Sequence, residues 1–109
     1  VNCEKAIVSG REKNVLGLYK WKRSIGGSAL KGPYFPRISE KLVKRTIRGM
    51  LPYKRERGLN ALKSIRCYYG IPREFKDKKM STIKEAHKSM LDTPHYMSVG
   101  HICRQIGGE

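Results

Sequence analysis

Four cations recur at helical spacing: Lys41, Lys44, Arg45 and Arg48 fall at i, i+3, i+4 and i+7. Like charges so placed repel by roughly 0.2–0.5 kcal/mol per pair. A helix that stacks four of them in one stripe has a use for them, and the matching chemistry is phosphate neutralisation, in which each contact releases a condensed counterion. The run TIRGMLPYKRERG (residues 46–58) adds Lys54, Arg55 and Arg57, with only Glu56 between them as an offset. Upstream, Lys31 and Arg37 flank the aromatic pair Tyr34 and Phe35, and Tyr53 sits beside Lys54. Rings interleaved with cations can stack on unpaired bases while the cations hold the backbone. Two plainer readings compete: Tyr34 and Phe35 as core anchors of a loop, and the stripe as a solvated helix face.

Other chemistries fit less well. The loop GGSALKG has the glycines of a phosphate cradle, but Lys31 is followed by Gly32 and Pro33. A nucleotide-binding P-loop needs Ser or Thr there, opening a helix after a strand. His87, His95 and His101 form no HExxH and no pair at i, i+4, so no metal ligand set is expected. Cys3, Cys67 and Cys103 are odd in number and contain no CxxC, which fits reduced cytosolic thiols and neither a disulfide scaffold nor a zinc ribbon. Cys67 and Cys103 lie in apolar-patterned segments, where thiols are buried and inert. The nine carboxylates are scattered, with no catalytic pair. No enzyme, cofactor or small-molecule substrate is expected.

The overall charge agrees with the local pattern. Twenty-four Lys and Arg stand against nine Asp and Glu, a net charge of +15 and a pI near 10.1. Self-repulsion of that size needs a polyanion. Between Lys20 and Arg66 there are fourteen basic residues and two acids, whereas the rest of the chain has ten against seven. The excess is focused in the stretch that carries the stripe. Nucleic acid, RNA or DNA, is the partner expected; a basic membrane-surface protein is the alternative. No apolar run approaches the roughly 18 residues of a membrane span.

Hydrophobic patterning supplies the elements that must position these cations. Residues 5–9 (KAIVS) read as a strand closed by Gly10, and residues 11–23 as a helix. Residues 25–36 read as a loop, since glycine and proline suit neither helix nor strand interiors. Ser39 is the expected N-cap of the clearest helix. Its apolar face is expected from Leu42, Val43, Ile47, Met50 and Leu51, and Pro52 ends it. A short helix over residues 56–63 turns Leu59 and Leu62 inward. It runs into IRCYY (residues 65–69), which has strand composition. Residues 73–79 read as a loop and residues 80–91 as mostly irregular. Ser98 caps a last helix over residues 99–106, closed by Gly107 and Gly108. Gly49 leaves room for RNA backbone or another element. Strands alternating with helices imply an α/β class.

At these residues the sequence resembles a known family. KGPYFPR…RTIRGMLPYKRERGLNALKSIRCYYGIP, residues 31–72, closely resembles the thirteenth universal protein family of the large ribosomal subunit, in its archaeal and eukaryotic branch. VNCEKAIVSG resembles that family's strand-and-turn segment, with Cys3 in place of a small alanine, and YMSVGHICRQIGG resembles its closing helix. Residues 73–91 match loosely, and no functional residue is carried over there.

The resemblance implies a three-layer α/β/α fold around a mainly parallel sheet. It also implies a structural constituent of the large subunit, in the cytoplasm, that binds rRNA and neighbouring ribosomal proteins, with no membrane and no small-molecule partner. Family members carry a first strand and helix before the segment that opens here at Val1, so residues 1–109 are expected to be one ribosomal-protein domain truncated at its N-terminus. The expected RNA-binding residues are Lys31, Arg37, Lys41, Lys44, Arg45, Arg48, Tyr53, Lys54, Arg55 and Arg57. Such contacts fix position, and specificity comes from RNA shape. A free RNA-binding translational regulator acting off the ribosome would use the same residues. A DNA-binding module would need helix-turn-helix, zinc-finger or zipper spacing, which the sequence lacks.

Overall fold

The computed structural model describes residues 1–26 and 32–108. A single 3-10 turn, Cys3–Lys5, leads into strand β1 (Ile7–Ser9) and helix α1 (Glu12–Ser24). Helices α2 (Ser39–Met50) and α3 (Glu56–Ser64) follow. Three more 3-10 turns, Arg73–Phe75, Lys84–Ala86 and Lys88–Met90, punctuate a largely exposed stretch before strand β2 (Tyr96–Ser98) and helix α4 (Val99–Gln105). The class is mixed α/β.

Helix α4 is the centre of the packing. Ile102 and Cys103 are fully buried and face two different neighbours. Ile102 joins Val15 of α1 and Met97 of β2, while Cys103 and Val99 join Leu42 of α2. Val8 and Tyr19 touch both clusters and tie them into one core. With so few wholly buried side chains each one matters: cutting Leu42 or Ile102 back to Ala would cost roughly 2–5 kcal/mol. Burial pushes the Tyr19 phenol above its ordinary pKa, and the neighbouring Cys103 acts in the same direction.

Both ends of α4 are defined by local chemistry. The Ser98 hydroxyl accepts from the His101 amide at 3.3 Å, the cap expected from the sequence. At the other end Gly107 takes φ 82°, a left-handed conformation that suits glycine. The Gly108 amide then donates to the Cys103 carbonyl at 2.8 Å and the Gly107 amide to Arg104 at 3.3 Å, which helps to satisfy the last carbonyls of the helix. Helices α1, α2 and α3 have no side-chain cap bond at their N-caps, Arg11, Ile38 and Arg55. Each instead carries a glutamate in its first turn, Glu12, Glu40 and Glu56, which complements the helix dipole.

Several expectations are corrected. The sheet among the described residues is an antiparallel pair, with Ile7 opposite Ser98 and Ser9 opposite Tyr96, not a mainly parallel sheet between two helical layers. Parallel pairing needs a crossover and a second interior strand. The candidate for that strand, residues 65–69, is extended but forms no ladder. It is held instead by isolated bonds: the Cys3 amide donates to Tyr68 at 3.1 Å and the Asn2 amide to Gly70 at 2.8 Å. Ser39 is the first residue inside α2, not its cap, and is itself fully buried. Met50 is 76% exposed and Leu59 42% exposed, so neither belongs to the inward face assigned to it. The loop expected over residues 25–36 falls partly outside the described residues. Residues 80–91 are irregular apart from two 3-10 turns, as expected.

Cys3 and Cys103 are buried and Cys67 is half-buried. Burial pushes the Cys67 thiol up, and the adjacent Cys3 adds to the shift by its charge and its hydrogen bond. A raised thiol pKa means little thiolate and low reactivity.

Candidate nucleic-acid interface

The basic stripe runs along α2 beside its Leu42 face, and its cations are not simply solvated. Lys44 Nζ donates to the Ile65 carbonyl at 2.9 Å, fastening α2 to the C-terminal end of α3. Arg45 lies over the Phe35 ring, 4.9 Å from guanidinium carbon to centroid, and its Nη1 reaches the Tyr34 carbonyl at 3.4 Å. Arg48 lies over the Tyr53 ring at 5.0 Å. Lys41 is exposed. A guanidinium stacked on a ring keeps its N–H groups free at the edges, so it is anchored and still able to bind phosphate.

Phe35 resolves one question left open by the sequence. Its ring packs edge-on against Tyr19 at 5.8 Å, with Lys22 5.6 Å from its centroid, so it anchors the loop. Tyr34, next to it in the chain, is 63% exposed. Arg37 is exposed at the entry to α2, and together with Arg23 and Lys41 it lines an open groove of about 420 Å³. Arg23, in the last turn of α1, was not among the residues singled out; the signal for it was its place in the basic block from Lys20 to Arg66.

Beyond α2 the chain turns at Pro52 and enters α3. Lys54, Arg55 and Arg57 are all exposed on this turn. Glu56, the one acid among them, occupies the first turn of α3, where it complements the helix dipole. Gly58 explains how the turn is held. A Cβ built there would overlap the Pro52 carbonyl carbon and oxygen, so the backbone before α3 closes directly onto the helix. The Arg55 amide donates to the same Pro52 carbonyl at 2.9 Å. Gly49, by contrast, has nothing among the described residues within 4 Å of the place a Cβ would take, its chain neighbours and its own helix backbone apart.

The structure thus gathers Arg37, Lys41, Lys44, Arg45, Arg48 and Tyr53 around α2, and continues through Lys54, Arg55 and Arg57. Lys31 lies outside the described residues. Carboxylates do little to neutralise this face. Glu40 accepts from the Tyr69 amide at 2.9 Å and Glu4 from the Gly70 amide at 3.0 Å, so both are turned to backbone. The only ion pair among the described residues joins His101 and Glu12 at 3.7 Å, away from the stripe. Among the described residues no group of three or more His, Cys, Asp or Glu is placed to hold a metal ion, and no helix is long and apolar enough to cross a membrane.

Residues 1–74 match the family model described as ribosomal protein L13. The chain is 40% identical, over all of its length and 77% of the relative's, to "Large ribosomal subunit protein uL13" of Methanosarcina barkeri. It is 38% identical to the protein of that name in Methanococcoides burtonii, over all of this chain and 78% of the relative. With the Archaeoglobus fulgidus protein of that name the identity is 39%, over 98% of this chain and 69% of the relative. The matched span includes the whole of α2, the turn and α3, and the chain belongs to the ribosomal protein L13 (uL13) family, a family of ribosomal proteins and not of enzymes.

Proposed function

We propose that this protein is a structural constituent of the large ribosomal subunit that grips rRNA through the α2 stripe and the turn that follows it. The observation that carries this reading is a dense row of cations, three of them fixed by rings or a carbonyl, with none of them ion-paired to a carboxylate among the described residues. Arg37, Lys41, Lys44, Arg45 and Arg48 contact phosphates along one face, and Lys54, Arg55 and Arg57 extend the grip, with Lys31 and Tyr53 in the same footprint. Position comes from these contacts and specificity from the shape of the RNA. Residues 1–109 act as one domain in the cytoplasmic ribosome, beside other large-subunit proteins. The three-layer arrangement around a mainly parallel sheet would require strands in addition to the antiparallel pair β1 and β2.

Salt dependence tests the reading. If six to ten phosphates are neutralised, log K against log salt falls with a slope of roughly −4 to −9, and a slope shallower than about −2 overturns the multi-phosphate grip. Sedimentation with large subunits through a sucrose gradient separates a ribosomal constituent from a free regulator, which would stay at the top.

A further inference from the structure

We propose that Tyr34 is a stacking platform for one unpaired RNA base, set between two grooves that hold the phosphates on either side of that nucleotide. The inference rests on the RNA-binding reading above and names the part of the RNA taken at this point: a flipped-out or single-stranded nucleotide, not a duplex edge.

Three features build the platform. The ring is 63% exposed although the residue next to it, Phe35, is packed between Tyr19, Lys22 and Arg45. The backbone that carries it is restrained, by Pro33 and Pro36 on either side, by the buried side of Phe35, and by Arg45 reaching the Tyr34 carbonyl at 3.4 Å. The ring is also backed by the Gly32 backbone, where an added Cβ would come within 2.7 Å of Tyr34 Cε2. A ring held in this way loses little freedom when a base settles on it, so most of the stacking gain is kept.

The surroundings identify the ligand. Tyr34 and Lys41 line both of two open grooves, of about 420 and 320 Å³. Arg23 and Arg37 complete the first, whose floor is closed by Gly108 lying against the Arg37 carbonyl. Lys44, Arg45 and Arg48 complete the second. Among the described residues no carboxylate lines either groove. The grooves beside Tyr69 and Tyr96 differ: the one at Tyr69 includes Glu4 and the one at Tyr96 includes Glu12, which repel phosphate. An exposed ring with cationic grooves on two sides, neither lined by a carboxylate among the described residues, matches a nucleotide whose base stacks while its backbone runs from one groove to the other.

The test compares a single-stranded oligoadenylate of about twelve nucleotides with an abasic strand of equal length and charge, bound to the 109-residue chain. The wild type is expected to prefer the oligoadenylate by about 5- to 150-fold. Tyr34→Ala should abolish that preference without changing the salt slope, and Tyr34→Trp should keep it. Circular dichroism of each variant confirms an unchanged fold. A preference that survives Tyr34→Ala places the stacking on another ring, such as the exposed Trp21, and overturns the proposal. So does a wild type with a steep salt slope and no preference for bases; that result leaves the phosphate grip standing. A slope shallower than about −2 on both strands overturns the grip itself, and the platform with it.

Discussion

The two basic regions on either side of Pro52 have nearly the same charge density and opposite mechanics. On α2, Lys44, Arg45 and Arg48 are each held by another part of the protein: a carbonyl at 2.9 Å, and rings at 4.9 and 5.0 Å. Beyond the proline, Lys54, Arg55 and Arg57 are exposed on a turn whose backbone is fixed. Anchored cations meet RNA already ordered, and so avoid part of the roughly 0.5–1.5 kcal/mol that immobilising a long side chain costs on binding. They also hold the protein together. The turn's cations raise the local potential and draw RNA in, but each must be ordered when it binds. Density of charge alone does not distinguish a positioned contact from a steering one; the partner of each cation does.

This comparison can be broken most directly at Gly58, which fixes the turn to α3. Gly58→Ala drives a methyl into the Pro52 carbonyl, and because the clash is with backbone no rotamer relieves it. The expected loss is about 3 kcal/mol, read as a lower denaturant midpoint at unchanged slope. An unchanged midpoint would mean the turn is not held by that contact. Next in size is Lys44→Met, which keeps the side chain's length and removes the donor from the Ile65 carbonyl. It should cost about 1–2 kcal/mol of stability and also one phosphate contact. Loss of affinity with no loss of stability would return Lys44 to the freely solvated class.

The sharpest form of the comparison sets two double variants side by side. Arg45→Gln with Arg48→Gln, and Arg55→Gln with Arg57→Gln, should each make the RNA salt slope shallower by about 1.4–1.8. Only the α2 pair should also lower stability, by about 1 kcal/mol, because only those guanidinium groups lie over rings. Equal stability changes in the two pairs would erase the distinction between anchored and steering cations.

What was legible in the sequence follows from how local each signal is. The helices carrying Leu42, the KRERG turn and the Ser98 cap could be read because periodicity, proline and capping chemistry act within a few residues. The charge focus between Lys20 and Arg66 was visible for the same reason. Residues 65–69 have strand composition and are extended, but a strand also needs a continuous partner, which no local pattern supplies. β2 went unassigned because three residues, Tyr96–Ser98, are too few to show alternation. The tethering of the cations was equally hidden: Lys44 meets a carbonyl twenty-one positions away, a distance set by how α2 and α3 pack. Tyr34 and Phe35 are adjacent and alike in type, and only the core decided which of them turned outward.

The smallest expected effect concerns the last turn of α2, and it separates two reasons for having a glycine there. Gly49 lies in a helix, and among the described residues nothing beyond its chain neighbours and its own helix backbone comes within 4 Å of its missing Cβ, so none of them requires its small size. By helix propensity alone Gly49→Ala should stabilise the free protein by about 0.8–1.0 kcal/mol, since alanine loses less backbone freedom on folding. If the anchored stripe lies flat against RNA, a methyl one helical turn past Arg45 intrudes on that contact. Affinity should then fall while stability rises. A variant that is both more stable and equally tight in binding would show that RNA does not approach this turn. The grip would then be confined to the turns nearer Lys41 and to the segment beyond Pro52.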